Sequence, residues 1–140
     1  MRWLTAPELM SRWILGAGPV EVHGNRLRMT VAIRGLGSTF SGQTVERSLR
    51  RLVRRYTLDG AGPYARTVTY DLAPTLEGCA VTCTVVTDID GLPETAARAG
   101  RRAETRSAQR SLERLALGAE GKRGSPWRRS RDSRLTAQPL

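Results

Sequence analysis

Histidine and cysteine are too scarce in this chain for most side-chain catalysis or metal binding. Its 140 residues contain one histidine, His23, and two cysteines, Cys79 and Cys83. A nucleophile–histidine pair is not plausible when the single histidine falls in a predicted surface hairpin. A structural zinc site normally needs about four cysteine or histidine ligands. We therefore expect no metal and no cofactor.

The two cysteines are also too far apart to form a disulfide with each other. Residues 79–87 alternate like a strand, with Cys79, Val81, Cys83 and Val85 on one face. Four residues along a strand separate the Cα atoms by about 13 Å, whereas a disulfide needs less than about 7 Å. We expect both to be buried, reduced thiols, which fits a reducing cytoplasm.

Long apolar runs are missing as well. No stretch of about 18 apolar residues exists, so no transmembrane helix is predicted. The first 20 residues carry Arg2, Glu8 and Arg12 without a continuous apolar run, unlike a secretory signal peptide. We expect one cytoplasmic domain over residues 1–117, followed by a disordered basic tail over residues 118–140.

Lysine is almost absent although the formal net charge is +10: of 23 basic residues only Lys122 is a lysine. Such a charge can indicate nucleic acid or an anionic membrane surface as partner, and Trp127 in the basic tail could stack on bases or lie at a lipid interface. The arginine excess is equally typical of a GC-rich coding sequence, and the basic residues are scattered along the chain. Nucleic-acid binding is therefore not the preferred interpretation.

Alternating hydrophobicity predicts a series of short strands. The clearest is residues 26–34, where Leu27, Met29, Val31 and Ile33 share one face and polar residues occupy the other. Short strands separated by turn residues indicate an antiparallel meander. Further strands are predicted at residues 20–23, 66–72 and 79–87.

Residues 39–58 fit two templates. Val45, Leu49, Leu52 and Tyr56 fall at helical spacing, which favours one amphipathic helix. Strand-favouring residue types begin and end the segment, which favours strands. The pattern alone does not decide between them.

Two helices are predicted outside the strands. Residues 5–15 form a short one, with Thr5 as its cap and Pro7 in its first turn. Residues 93–117 form a long one. Its small and apolar residues recur every three or four positions, which predicts one buried stripe against the sheet. The stripe consists of Leu92, Ala96, Ala99, Ala103, Ser107 or Ala108, Leu112 and Leu115.

The segment from Trp3 to Trp13, Trp-Leu-Thr-Ala-Pro-Glu-Leu-Met-Ser-Arg-Trp, resembles a Leu-Thr-(Asp)-Pro-Glu … Trp segment of one superfamily. This is the SRPBCC or START-like superfamily, in its polyketide-cyclase-like and Hsp90-activator-like members. Residues 39–45, 51–58 and 79–117 add to the likeness, which covers residues 3–117. It implies an α+β helix-grip fold, with a curved antiparallel sheet of about six strands wrapped on the long C-terminal helix. It also favours two strands over one helix for residues 39–58. These strands are residues 39–47 and 51–58, with a turn near Ser48.

Members of this superfamily begin with a strand before the Leu-Thr-x-Pro-Glu segment, whereas Met1 here falls inside the first helix. The resemblance therefore implies a sheet without its N-terminal strand. An exposed sheet edge invites pairing with another chain, so a homodimer through this edge is a possible assembly. We expect a chain extended upstream of Met1 to be more soluble and more stable.

The resemblance implies a pocket between the sheet and the C-terminal helix for a small hydrophobic ligand such as a lipid, polyketide or aromatic metabolite. A polyketide cyclase or dehydratase is the alternative, with Tyr56, Tyr70, Arg54 and Asp71 as the available reactive types. Each candidate residue could equally be ordinary core. The ligand-binding candidates are Met29, Val31, Ile33, Arg54, Tyr56, Tyr70, Cys83, Ala99 and Ala103.

Arg54 has two possible orientations. It faces inward if Leu52 and Tyr56 do, and it then needs an anionic or hydrogen-bonded partner, such as a ligand carboxylate or enolate. If Val53 faces inward instead, Arg54 lies in solvent. The sequence leaves both open.

Overall fold

Three helices and six strands form within residues 1–33, 36–59, 64–89 and 93–120, which are the residues that the computed structural model describes. The architecture is α+β, an open, curved antiparallel sheet followed by one long helix, and it confirms the predicted class. The elements are α1 (Arg2–Thr5), α2 (Pro7–Trp13), β1 (Ala17–His23), β2 (Arg26–Ile33), β3 (Leu36–Arg47), β4 (Arg51–Leu58), β5 (Tyr64–Thr75), β6 (Gly78–Ile89) and α3 (Glu94–Glu120).

The sheet is a simple meander in which every strand pairs antiparallel with the next one along the chain. The ambiguous segment forms strands β3 and β4, so the helical alternative is wrong. Ser48 makes the turn between them, because its hydroxyl accepts hydrogen bonds from the backbone N–H groups of Arg50 at 3.3 Å and Arg51 at 3.0 Å. The predicted bounds of β4 match the observed ones.

The N-terminal helix differs from its prediction. It is divided into α1 and α2 at Ala6, whose extended backbone (φ −78°, ψ 121°) is the conformation that a residue before proline prefers. Thr5 therefore does not cap α2. Its hydroxyl instead donates to the Met1 carbonyl at 3.4 Å, and Pro7 takes the first helical position.

The hydrophobic core lies between the sheet and the helices. Its largest fully buried side chains are Trp13, Leu4, Met10, Leu52 and Val68, which come from α1, α2, β4 and β5. The predicted inner face of β2 is confirmed, because its Leu, Met and Val side chains at positions 27, 29 and 31 are buried.

Helix α3 packs through its C-terminal half, where Ser111 and Leu115 are buried. The predicted alanine stripe is wrong over its first half: Ala96, Ala99 and Ala103 are exposed. Alanine is the best helix former on any face, so its spacing does not report which side is buried. Leu92 lies outside the described residues.

The end of α3 lies against α1. A Cβ at Gly118 would approach the Trp3 ring to 2.8 Å, so glycine permits this close contact. The helix continues to Glu120 and not to the predicted residue 117. The remainder of the predicted tail, residues 121–140 with Trp127, lies outside the described part of the chain. None of the described helices combines the length and apolar character needed to cross a membrane.

The two edges of the sheet differ in character. Strand β1 contains Pro19 and Glu21, has an irregular register between Ala17 and Val20, and packs against α2. Within the described residues β6 has β5 as its only sheet neighbour. It contains no proline, lysine or arginine, and Asp88 near its end is its only charged residue.

Gly42 of β3 is a tightly packed position opposite Leu27 of β2 and Tyr56 of β4. An added Cβ would lie 2.8 Å from two Tyr56 ring carbons and 2.9 Å from Leu27 Cγ. We expect Gly42→Ala to lower the free energy of unfolding by about 1–3 kcal/mol, because both buried neighbours must shift. Urea denaturation measures this loss.

Gly37→Ala on the same strand is the matched control. There the nearest atom to a new Cβ is Thr30 Cγ2 at 3.7 Å, an ordinary contact. We expect this variant to be neutral or slightly stabilising, because alanine loses less backbone entropy on folding. Equal stability of the two variants would contradict the packing at Gly42.

Candidate functional site

A cavity lies between the sheet and helix α3. Strands β2 to β6 line one side, α3 lines the other, and the end of α2 with the two residues after it closes a third. The space open to the centres of water-sized molecules is about 60 Å³. The cavity therefore lies between the same elements as the pocket that the family resemblance implied.

Five of the nine predicted ligand-binding residues line this cavity: Met29, Val31, Tyr56, Tyr70 and Cys83. The structure thus brings together side chains from four strands. Their role in binding a ligand stays a prediction.

Three of the others, Arg54, Ala99 and Ala103, do not line it. Ala99 and Ala103 are exposed on the N-terminal half of α3, so their predicted place facing the sheet is wrong. The part of α3 that does line the cavity lies one to three turns later, at Ser107, Ala108 and Ser111. Arg54 is buried beside the cavity and not in its lining. The side chain of Ile33 lies outside the described residues.

Trp13 forms the rigid end of the cavity and was not predicted there. Its indole Nε1 donates a hydrogen bond of 2.7 Å to the Trp3 carbonyl. Its ring meets Tyr70 edge to face, with centroids 5.9 Å apart and an interplanar angle of 86°. Its position depends on how α2 docks on the sheet, and no local sequence pattern reports that.

Two hydrogen bonds fix α3 over the cavity. Ser111 Oγ accepts from the Leu15 backbone N–H at 3.0 Å, which ties the helix to the segment after α2. Thr87 Oγ1 of β6 donates to the Glu104 carboxylate of α3. Together they tie α3 to the segment after α2 and to β6.

Two weakly acidic side chains that line the cavity, the Tyr70 phenol of β5 and the Cys83 thiol of β6, are held neutral. Burial raises the pKa of Tyr70 well above its usual value, and the nearby Cys83 and Tyr56 raise it further, while Arg66 and Arg54 oppose the shift. Burial raises the pKa of Cys83 to about 11, against a smaller opposing effect of Arg66. At neutral pH the site therefore presents a phenol that can donate a hydrogen bond and an unreactive thiol.

Both cysteines are free thiols, but only Cys83 is buried. The expectation that Cys79 would also be buried is wrong. Cys79 is the second residue of β6, next to the turn that precedes the strand, where its side chain is open to solvent.

Arg54 faces inward, which decides between the two predicted orientations. It is 3% exposed and lies between Leu52 at 0% and Tyr56 at 2% on the inner face of β4. Its Nη1 donates to the Met10 sulfur at 3.6 Å, which is a weak acceptor. Its Nε is buried without a hydrogen-bond partner among the described residues.

Arg66 of β5 lines the cavity, and it too escaped the sequence-based prediction. Its guanidinium carbon lies 5.8 Å from the centre of the Tyr56 ring, a cation–π contact. Arg66 has the same parity as Val68 and Tyr70 on the predicted strand, which was a sign that it faces the core, although arginine is mostly exposed in proteins.

Among the described residues no group of three or more His, Cys, Asp or Glu side chains is placed to hold a metal ion.

The fold is similar to two solved structural-genomics targets. A protein from Chromobacterium violaceum is 22% identical with a TM-score of 0.65, and the match covers 86% of this chain and 87% of that one. A protein from Rhodobacter sphaeroides is 21% identical with a TM-score of 0.61, and the match covers 86% of this chain and 83% of that one. At these identities the likeness shows the fold alone. No protein-family model matches the chain, and no curated protein matches it in sequence.

Proposed function

We propose that this protein is a START-like helix-grip domain that binds a small hydrophobic ligand between its sheet and helix α3. The cavity carries the proposal. Aromatic and aliphatic side chains dominate its lining, and a small number of polar groups, such as Arg66 and Tyr70, converge on it. Concave apolar sites with few polar groups are typical of small-molecule binding.

The size of the cavity limits the ligand. About 10–15 Å³ of such space holds one water molecule, so about 60 Å³ accommodates a few waters. A single-ring ligand would fit with a small outward shift of the walls, whereas a sterol would require α3 to move much further. Single-ring compounds are therefore the ligand class that the cavity volume fits best.

A polyketide cyclase or dehydratase is the second candidate, and Tyr70 is the observation that favours it. A protonated phenol in an apolar cavity can stabilise a developing enolate oxygen. Ring closure and dehydration also need a general base. No carboxylate or imidazole is among the described residues that line the cavity. Binding without turnover is therefore the preferred function.

Filling the cavity from α3 tests the proposal. Ala108 lines the cavity, and we expect Ala108→Phe to weaken binding of the neutral single-ring probe indole by about tenfold or more, because the new ring occupies the ligand space. Isothermal titration calorimetry measures the affinity, and circular dichroism checks that the variant is folded.

Ala103→Phe is the matched control, since Ala103 is exposed on the same helix. It should bind indole like the unmodified protein. Unchanged binding by Ala108→Phe would place the ligand elsewhere. Failure of indole, toluene and naphthalene to bind the unmodified protein would overturn the proposed function.

A further inference from the structure

The charge of Arg54 is not compensated within the described residues. The side chain is 97% buried, since 3% of it is exposed, and no ion pair joins it to a described carboxylate. Its described hydrogen-bond acceptor is the Met10 sulfur. A guanidinium cannot lose its proton in a protein, and a buried charge without an anionic partner is strongly unfavourable. An anionic group beside Arg54 would therefore compensate its charge.

The strand register places Arg54 beside residues that line the cavity. Arg54 is directly opposite Val68 of β5, and Val68 lines the cavity. Tyr56, two residues along β4, and Tyr70, diagonal to Arg54 on β5, line it as well. Diagonal neighbours across a strand pair lie about 7–8 Å apart, within reach of a long side chain. Arg54 therefore neighbours cavity-lining side chains both directly across and diagonally on β5.

The other polar groups around the cavity add no negative charge. Arg66 is a second cation in the lining, and Ser107, Ser111 and the neutral phenol of Tyr70 are hydrogen-bond donors. Glu104 of α3 bonds to Thr87 and is not among the lining residues. The described residues that line the cavity therefore include no carboxylate and several hydrogen-bond donors.

We propose that the ligand is a small aromatic carboxylic acid, or a comparable ring-bearing anion, whose negative group is bound by Arg54 beside Tyr70. The aromatic ring of the ligand packs against Trp13, Tyr56 and Phe40, which line the cavity. This inference rests on the proposed function and narrows its ligand class from apolar molecules in general to organic anions.

Benzoate and benzyl alcohol form a matched pair of probes, because they share one ring and differ in charge. We expect the unmodified protein to bind benzoate about 10- to 100-fold more tightly than benzyl alcohol, as charge-assisted hydrogen bonds allow. In Arg54→Met the preference should fall to about one, with benzyl alcohol binding within a few-fold of its original affinity. Calorimetric titration at constant ionic strength measures all four affinities.

Arg55→Met is the control. Arg55 is the next residue of β4 and is exposed on the opposite face, so its loss changes the net charge equally and should leave the preference for benzoate unchanged. A preference that also falls in Arg55→Met would mean that long-range charge, and not Arg54, selects the anion, and would overturn the inference.

Stability without ligand separates a ligand-binding arginine from a structural one. Arg54→Met should melt at the same or a higher temperature than the unmodified protein, because an unpaired buried charge is replaced by an apolar side chain. A large fall in melting temperature, or failure to fold, would show that protein groups hold the guanidinium and would overturn the inference.

The remaining outcomes are equally decisive. Equal affinity of the unmodified protein for both probes would overturn the inference and leave the proposed function standing. Binding of neither probe would overturn the inference, and the titrations with indole, toluene and naphthalene would then decide the proposed function. A benzoate preference that persists in Arg54→Met would remove Arg54 from the site.

Discussion

Replacing Trp13 with alanine is expected to lower the free energy of unfolding by about 3–5 kcal/mol, a large part of the total stability of a small domain. The side chain is 1% exposed and is the largest fully buried one in the core. Its removal would leave a void beside Tyr70 and would also take the 2.7 Å hydrogen bond from the Trp3 carbonyl. One substitution causes both losses, because the indole ring of Trp13 both packs in the core and donates the hydrogen bond.

Trp13→Phe separates these contributions. It keeps an aromatic ring against Tyr70 and removes the indole donor, so we expect an intermediate loss of about 1–3 kcal/mol. Urea denaturation followed by circular dichroism measures both variants without relying on tryptophan fluorescence. If Trp13→Ala unfolded at the same urea concentration as the unmodified protein, Trp13 would not lie in the core.

Leu52→Ala is the second large expected loss, about 2–5 kcal/mol. Leu52 is fully buried on β4, opposite Tyr70 of β5. Leu49, three residues earlier in the turn between β3 and β4, is 92% exposed. We expect Leu49→Ala to change the free energy of unfolding by less than about 0.5 kcal/mol.

This pair of leucines also tests the fold of the ambiguous segment. In a helix, residues 49 and 52 would share one face and both would be buried. In the observed hairpin one lies in the turn and the other in the core. Equal, large losses from the two substitutions would therefore support the helix and remove the hairpin that carries Arg54 and Tyr56.

The sheet was predictable where one face of a strand is apolar and the other polar. Strand β2 shows this most clearly: Leu27, Met29 and Val31 alternate with polar residues and are buried. Strands β3 and β4 were not predictable from pattern alone. Their conformation depends on pairing with β2 and β5, and such pairing is a tertiary interaction that a local sequence does not contain.

The candidate site was predictable only on the strands. The sequence left an inward and a solvent orientation open for Arg54; it shares the parity of Leu52 and Tyr56, and it is buried with them. The inner face of α3 was predicted correctly in its second half, at Leu112 and Leu115. It was not predictable in the first half, because Ala99 and Ala103 fit a buried stripe and an exposed helix surface equally well. The part that Trp13 and Ser111 play in the cavity depends on how helices dock, which spacing does not report.

The two edge strands, β1 and β6, differ in how well they could pair with another strand, and this difference limits how copies of this chain could associate. A twofold axis can pair β6 (Gly78–Ile89) antiparallel with β6 of a second copy. Strand β1 is a poor edge for pairing, because it contains Pro19 and an irregular register. Association would then stop at a dimer, because among the described strands only β6 offers an edge suited to pairing, and that edge is used within the dimer. Light scattering at rising concentration should accordingly level off at twice the monomer mass and not climb towards fibres.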